Sequence, residues 1–147
     1  MGTRLSYRMM FNSNNKDGNG SGLRVGERPC VLVVDDNEAV AHALAKILTH
    51  EGWRVTLCYN GVDALKQVEC ETVAAAVVDI HLPDISGLVL SSKLRERYGP
   101  KLPIIVLSGD TSMENLRSLS HVGATYFISK PFNSEHLVER LREFAGV

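Results

Sequence analysis

Two adjacent aspartates, Asp35 and Asp36, follow the apolar run Val31-Leu32-Val33-Val34. A third, Asp79, follows Ala74-Ala75-Ala76-Val77-Val78. Ser108-Gly109 follows Pro103-Ile104-Ile105-Val106-Leu107, and Lys130-Pro131 comes just after Thr125-Tyr126-Phe127-Ile128. The separations are large, so only the fold can bring these groups together. Carboxylates sharing one pocket repel. At about 5 Å and an effective dielectric of 20, each pair costs roughly 3 kcal/mol. A divalent cation reverses that sign. Carboxylate oxygens are hard ligands that suit Mg2+, which keeps several waters and bridges to phosphate oxygens. No cluster of His or Cys stands at these positions to suit zinc.

Such a set suits phosphoryl transfer, which needs an in-line nucleophile and positive charge around the phosphoryl oxygens. A carboxylate can be that nucleophile and form an aspartyl phosphate. Asp79 stands alone after its apolar run and is the expected acceptor. Asp35 and Asp36 would hold the metal, Asp36 directly and Asp35 through water. Lys130 would meet a phosphoryl oxygen as a compact ammonium. Ser108 would donate its hydroxyl to another, and Gly109 would leave room for a donor molecule to approach. Each group would stabilise charge that develops in the transition state.

The intervening sequence says what positions them. The run from Cys30 is β-branched and continuously apolar, as in a strand buried on both faces. Val40, Ala43, Leu44, Ile47 and Leu48 follow at helical spacing, and Gly52 closes that helix. Residues 54–58 read as a second strand, and Val62, Leu65 and Val68 mark a second helix. The run before Asp79 is the third strand. Ser86 caps a third helix running through Arg97, with Leu90 and Leu94 inward. The fourth strand spans 103–107. Ser112 begins a fourth helix carrying Leu116 and Leu119, which stops near Gly123. The fifth strand spans 125–128, and Ser134 precedes a last helix with Leu137, Val138, Leu141 and Phe144. Strands alternating with helices predict an α/β fold, a doubly wound parallel sheet with helices on both faces. Ligands bind such sheets at the carboxyl ends of the strands, where the aspartates, serine and lysine stand.

Together, Val33-Val34-Asp35-Asp36-Asn37-Glu38, Val78-Asp79-Ile80-His81-Leu82-Pro83-Asp84-Ile85-Ser86-Gly87, Leu107-Ser108-Gly109 and Lys130-Pro131-Phe132 resemble the receiver domains of two-component response regulators, of the chemotaxis-regulator kind. Each piece is weak alone; their order and spacing are specific. The resemblance covers residues 30–144. It implies a flavodoxin-like five-stranded sheet of order 2-1-3-4-5 and a cis Lys130-Pro131 bond. It implies that His81 offers its backbone carbonyl to the metal and that Phe127 is a switch aromatic. His81 stands where many relatives carry Asn, and Asp110 lies two residues after Ser108; the family uses both positions to tune phosphoryl lifetime. Phe127 lacks the hydroxyl of the Tyr that many relatives have. The implied partners are a histidine kinase or histidine phosphotransfer protein and an unidentified downstream protein. That protein would read the face formed by the fourth helix, fifth strand and fifth helix. A homodimer through the same face is an open alternative, as is a stand-alone protein against the C-terminal receiver of a hybrid kinase.

Bulk properties agree with this and exclude other classes. The chain has 147 residues, 44% hydrophobic, with a net charge of -1. That is one domain of ordinary size with a core. Near-neutral charge is poor for binding nucleic acid. No apolar run approaches the roughly 20 residues that span a bilayer. Cys30, Cys58 and Cys70 form no C-x-x-C pair and read as free thiols in a reducing cytoplasm. Residues 1–28 are polar and glycine-rich from Asn12 to Gly22 and are expected to be a flexible tail or linker. Arg4, Arg8, Lys16, Arg24 and Arg28 against Asp17 and Glu27 give that segment +3 and leave -4 for the receiver at 29–147. Three rival readings fit less well. A metabolite phosphatase using an aspartyl phosphate would need a cap over its substrate. A dinucleotide-binding module would need a glycine-rich turn where Asp35-Asp36 stands. A receiver-like scaffold without phosphorylation would not need the complete acid and lysine set.

Overall fold

The computed structural model describes residues 7–9, 28–109 and 123–146. Its strands are β1 (Tyr7–Met9), β2 (Cys30–Val34), β3 (Arg54–Cys58), β4 (Ala75–Asp79), β5 (Ile104–Ser108) and β6 (Tyr126–Ser129). Its helices are α1 (Glu38–His50), α2 (Gly61–Cys70), α3 (Gly87–Tyr98) and α4 (Ser134–Ala145). The helix expected from Ser112 lies outside the described residues. So does Asp110.

The sheet runs β1-β3-β2-β4-β5-β6. The five strands from β2 to β6 pair in parallel, in the order that the family resemblance implied. β1 adds a sixth strand, antiparallel to β3, with Tyr7 opposite Leu57 and Met9 opposite Val55. It comes from the segment expected to be a tail, although Leu5, Tyr7 and Met9 alternate there with Ser6 and Arg8.

Why the central strands read so plainly is visible in their burial: every residue of β2, β4 and β5 is buried. Alternate side chains enter two separate cores. One holds Val31, Val33, Leu44, Leu48, Trp53, Leu57 and Leu137, under α1 and α4. The other holds Leu32, Val34, Val68, Val78, Leu90, Leu94 and Val106, under α2 and α3.

Short polar side chains start the helices by accepting orphan amide hydrogens. Asn37 accepts from Val40, Asn60 from Asp63, and Ser86 from Leu88. Asn133 does this for α4, so Ser134 is the first helical residue rather than the one before it. The buried stripe of α1 is Ala41, Leu44, Ala45 and Leu48, rotated from the expected one. Ala43 is exposed, while Val40 and Ile47 border a groove with Pro131 and Phe132 instead. On α2, Val62 points outward, and Ala64 and Val68 are buried. Both corrections have one cause: neighbouring elements decide which side of a helix meets the sheet.

Candidate functional site

The parallel pairing aligns the carboxyl ends of the strands. Asp79 is the last residue of β4, Ser108 the last of β5, and Asp35 follows β2 directly. The Asp35 amide is fixed by the Cys58 carbonyl of β3 at 3.1 Å, so the acid stands where two strand ends meet. The Lys130 amide donates to the Ser108 carbonyl at 2.8 Å, which carries the β5–β6 ladder past its last residue and points the lysine inward. The Lys130-Pro131 peptide is cis.

Lys130 Nζ lies 3.1 Å from Asp35 Oδ2 and 3.1 Å from Asp79 Oδ2. Asp35 and Asp79 are buried, while Asp36 is exposed at the rim. One carboxylate oxygen from each of Asp35, Asp36 and Asp79 falls in a group spanning no more than 4.8 Å. The remaining oxygens of the two buried acids are held by local amides. Asn37 N–H donates to Asp35 Oδ1 at 3.0 Å, and His81 N–H donates to Asp79 Oδ1 at 3.2 Å.

Burial pushes the Asp35 carboxyl above its ordinary value, and the neighbouring Asp79 charge adds to this. The Asn37 amide and Lys130 offset part of the rise. Burial also works against the Lys130 ammonium, but its two carboxylate partners outweigh it and hold the lysine above its ordinary value. One ammonium among three acids leaves the group short of positive charge. An oxygen-only donor set with that deficit fits a hard divalent cation.

Asp35, Asp36, Asp79 and Lys130 are thus brought together as their types suggested. Ser108 is buried at the neighbouring strand end. Phe127 is half-buried on β6 and packs on the α2–α3 side of the sheet, one pleat from Ser129 and Lys130. His81 is exposed, in a cleft of about 520 Å3 that it lines with Asp36, Leu82, Pro83 and Ser86.

Two supporting residues were quoted in the sequence motif without a role. Asp84 accepts from Gly61 N–H at 2.9 Å, Val62 N–H at 2.8 Å and its neighbour Ile85 N–H at 2.7 Å. It ties the loop after β4 to the first turn of α2. Gly87 opens α3 hard against the end of β4: a Cβ there would stand 2.1 Å from the Asp79 carbonyl oxygen and 2.7 Å from Ile80 Cα. The Pro83-Asp84 turn signal and the glycine inside a capping sequence were the available clues. Neither reveals its tertiary partner.

Comparison with known proteins gives a consistent result. Residues 31–142 match the family model described as the response regulator receiver domain. The chain is 34% identical to the probable transcriptional regulatory protein TcrX of Mycobacterium tuberculosis, over 80% of this chain and 50% of that one. It is 36% identical to the response regulator MprA of Mycobacterium ulcerans, over 76% of this chain and 48% of that one. The chain therefore spans about half the length of these curated relatives. Among solved structures, a CheY-like receiver domain protein from Methanospirillum hungatei superposes with a TM-score of 0.77 at 31% identity, over 81% of this chain and 94% of that one. The Vibrio cholerae chemotaxis protein CheY4 gives 0.75 at 28% identity, over 80% and 98%.

Proposed function

From the premise that this chain belongs to the response regulator receiver family, we propose that Asp79 is its phosphoacceptor and that the surrounding groups serve that one transfer. The observation that carries the reading is the meeting of Asp35, Asp36 and Asp79 with Lys130 at the ends of strands that are far apart in sequence.

In the transfer, an Asp79 carboxylate oxygen attacks phosphorus, and the electron pair of the breaking phosphorus–nitrogen bond returns to the ring of the donor histidine. Asp35, Asp36, Asp79 and the His81 backbone carbonyl would hold Mg2+. When bound, that ion supplies neutralisation of the phosphoryl oxygens. Lys130 pairs with Asp35 and Asp79 until a phosphoryl oxygen competes for its ammonium. Ser108 donates its hydroxyl to another oxygen. The phosphoryl group adds about -1.5 to -2 charge. Drawing Ser108 and Lys130 toward that charge pulls on the ends of β5 and β6, and Phe127 follows. A covalent group acts here as a ligand does, shifting a population by its differential interaction with two states.

The donor would be a histidine kinase or histidine phosphotransfer protein. The reader would be a downstream protein docking on the face around the segment after β5, β6 and α4, with a homodimer through that face as the alternative. His81 and Asp110 would set the phosphoryl lifetime. Residues 29–147 would form the receiver, and 1–28 a tail or linker that lends β1 to its sheet, in a cytoplasmic protein. Among the described residues, no helix is long and apolar enough to cross a membrane.

Incubation with magnesium and a small phosphodonor, followed by mass spectrometric mapping, tests the reading. The expected product carries one phosphoryl group on Asp79. A wild-type chain that stays unmodified would sink it, as would equal modification of Asp79→Asn.

A further inference from the structure

The outer edge of β3 shows what this sheet does at its margin. Arg54 N–H donates to the Pro29 carbonyl at 2.9 Å, and the Cys58 carbonyl accepts from Asp35 N–H at 3.1 Å. Both therefore face β2. Because strand residues alternate sides, Thr56 faces β2 as well, while the N–H and C=O groups of Val55 and Leu57 face the opposite way. Their antiparallel partners there are Met9 and Tyr7. Arg8, opposite Thr56, directs its own backbone groups away from β3.

Exposed strand edges are normally blunted by Pro, Lys, bulges or brevity. β3 has none of these: it is five residues long, Arg54-Val55-Thr56-Leu57-Cys58, and its register with β2 is unbroken. Four of its five side chains are buried, so side-chain charge at Arg54 guards one end only. Among the described residues, the protection this edge has is β1.

We propose that the β3 edge is a strand-docking surface, that Tyr7–Met9 occupies it as an intramolecular guard, and that a vacated edge takes a second copy of this chain. The occupant follows from the geometry. A two-fold axis at Thr56 would set Val55 of one copy opposite Leu57 of the other, so the same groups that bond β1 would bond each other in an antiparallel pair. That is a self-complementary contact of the isologous kind. Joined covalently to the sheet, β1 competes at an effective concentration in the millimolar range, which keeps a second copy out in the intact chain.

The test uses the full chain and residue-resolved amide exchange with light scattering. Tyr7→Pro/Met9→Pro removes both donors that face β3. Arg8→Pro removes only a donor that faces away from β3, the side on which an edge strand tolerates proline. In the double variant at micromolar concentration, the Val55 and Leu57 amides should exchange about tenfold faster or more than in wild type. As concentration rises, the double variant should become a dimer and regain that protection. Arg8→Pro should match wild type in both readouts. Unchanged exchange of Val55 and Leu57 in the double variant would overturn the guard. Faster exchange in a chain that stays monomeric at high concentration would overturn the docking surface. Equal behaviour of Arg8→Pro and the double variant would overturn the assigned register.

Discussion

Lys130 is the residue on which the site's charge balance turns. Its ammonium stands 3.1 Å from two buried carboxylates that also repel each other. Burial, with that repulsion added to it, raises Asp35 above its ordinary value. Under the proposed function the lysine would serve two states, neutralising acids before transfer and meeting a phosphoryl oxygen afterwards. His81 touches the same acid differently, through a main-chain N–H on Asp79 Oδ1 at 3.2 Å, while its side chain is exposed beside Asp36. A side chain so placed could affect the approach of hydrolytic water without supplying a bond to Asp79. His81→Asn should keep the main-chain donor and still be phosphorylated to the same extent. Its dephosphorylation rate should change by a factor of about 3 to 10, a barrier change of roughly 0.7–1.4 kcal/mol. Decay of the phosphorylated form, followed by mass spectrometry, checks this. Equal decay in variant and wild type would remove the side chain from the lifetime argument.

At the scale of elements, the loop from β4 to α3 is held at both ends. Asp84 holds one end by accepting three amide hydrogens, two of them from the first turn of α2. Partial burial works against its charge, but the Gly61, Val62 and Ile85 amides outweigh that and keep the carboxyl below its ordinary value. A depressed carboxyl contributes stability that is present above its unfolded value and lost as pH falls through the folded one. Asp84→Ala should cost about 1 kcal/mol at pH 7, as loss of a helix-start acceptor does. The difference from wild type in urea titrations should vanish in strong acid, below the ordinary range near 3.8. A gap that persists there would mean that packing, not the charged acceptor, holds the loop. Gly87 holds the other end by closeness. The obstructing atoms for a Cβ are Asp79 and Ile80 backbone, which cannot rotate away. Gly87→Ala should therefore cost about 1–3 kcal/mol, as overpacking does. It should also slow phosphorylation by displacing Asp79 itself. Stability loss with an unchanged phosphorylation rate would show that the close approach of Gly87 does not position Asp79.

Across the whole molecule, legibility followed burial. β2, β4 and β5 are buried on both faces, so their apolar runs could be read directly, and the acids at their ends followed from that. The start of α3 was legible because Ser86 caps its own neighbours, whereas Asn133, which caps α4 beside Ser134, was passed over. β1 was not read, because the alternation around Tyr7-Arg8-Met9 is short and runs into the polar, glycine-rich stretch from Asn12. Nor were the stripe of α1, the reach of Asp84 or the closeness of Gly87, since each depends on an element distant in sequence. The acid cluster has one consequence for the entire fold. Its members come from two strand ends, so a cation bridging them stabilises the native sheet and has no equivalent site in the unfolded chain. Binding at a hundred times the dissociation constant adds about 2.7 kcal/mol, or a midpoint rise of about 10 °C for a domain of this size. Asp36 isolates that effect because it is exposed at the rim rather than part of the core. Asp36→Asn should leave the metal-free stability within about 0.5 kcal/mol of wild type and remove most of the magnesium increment. Chelation of wild type should bring the two curves together. If both chains gain equally from magnesium, the ion is not held by this cluster.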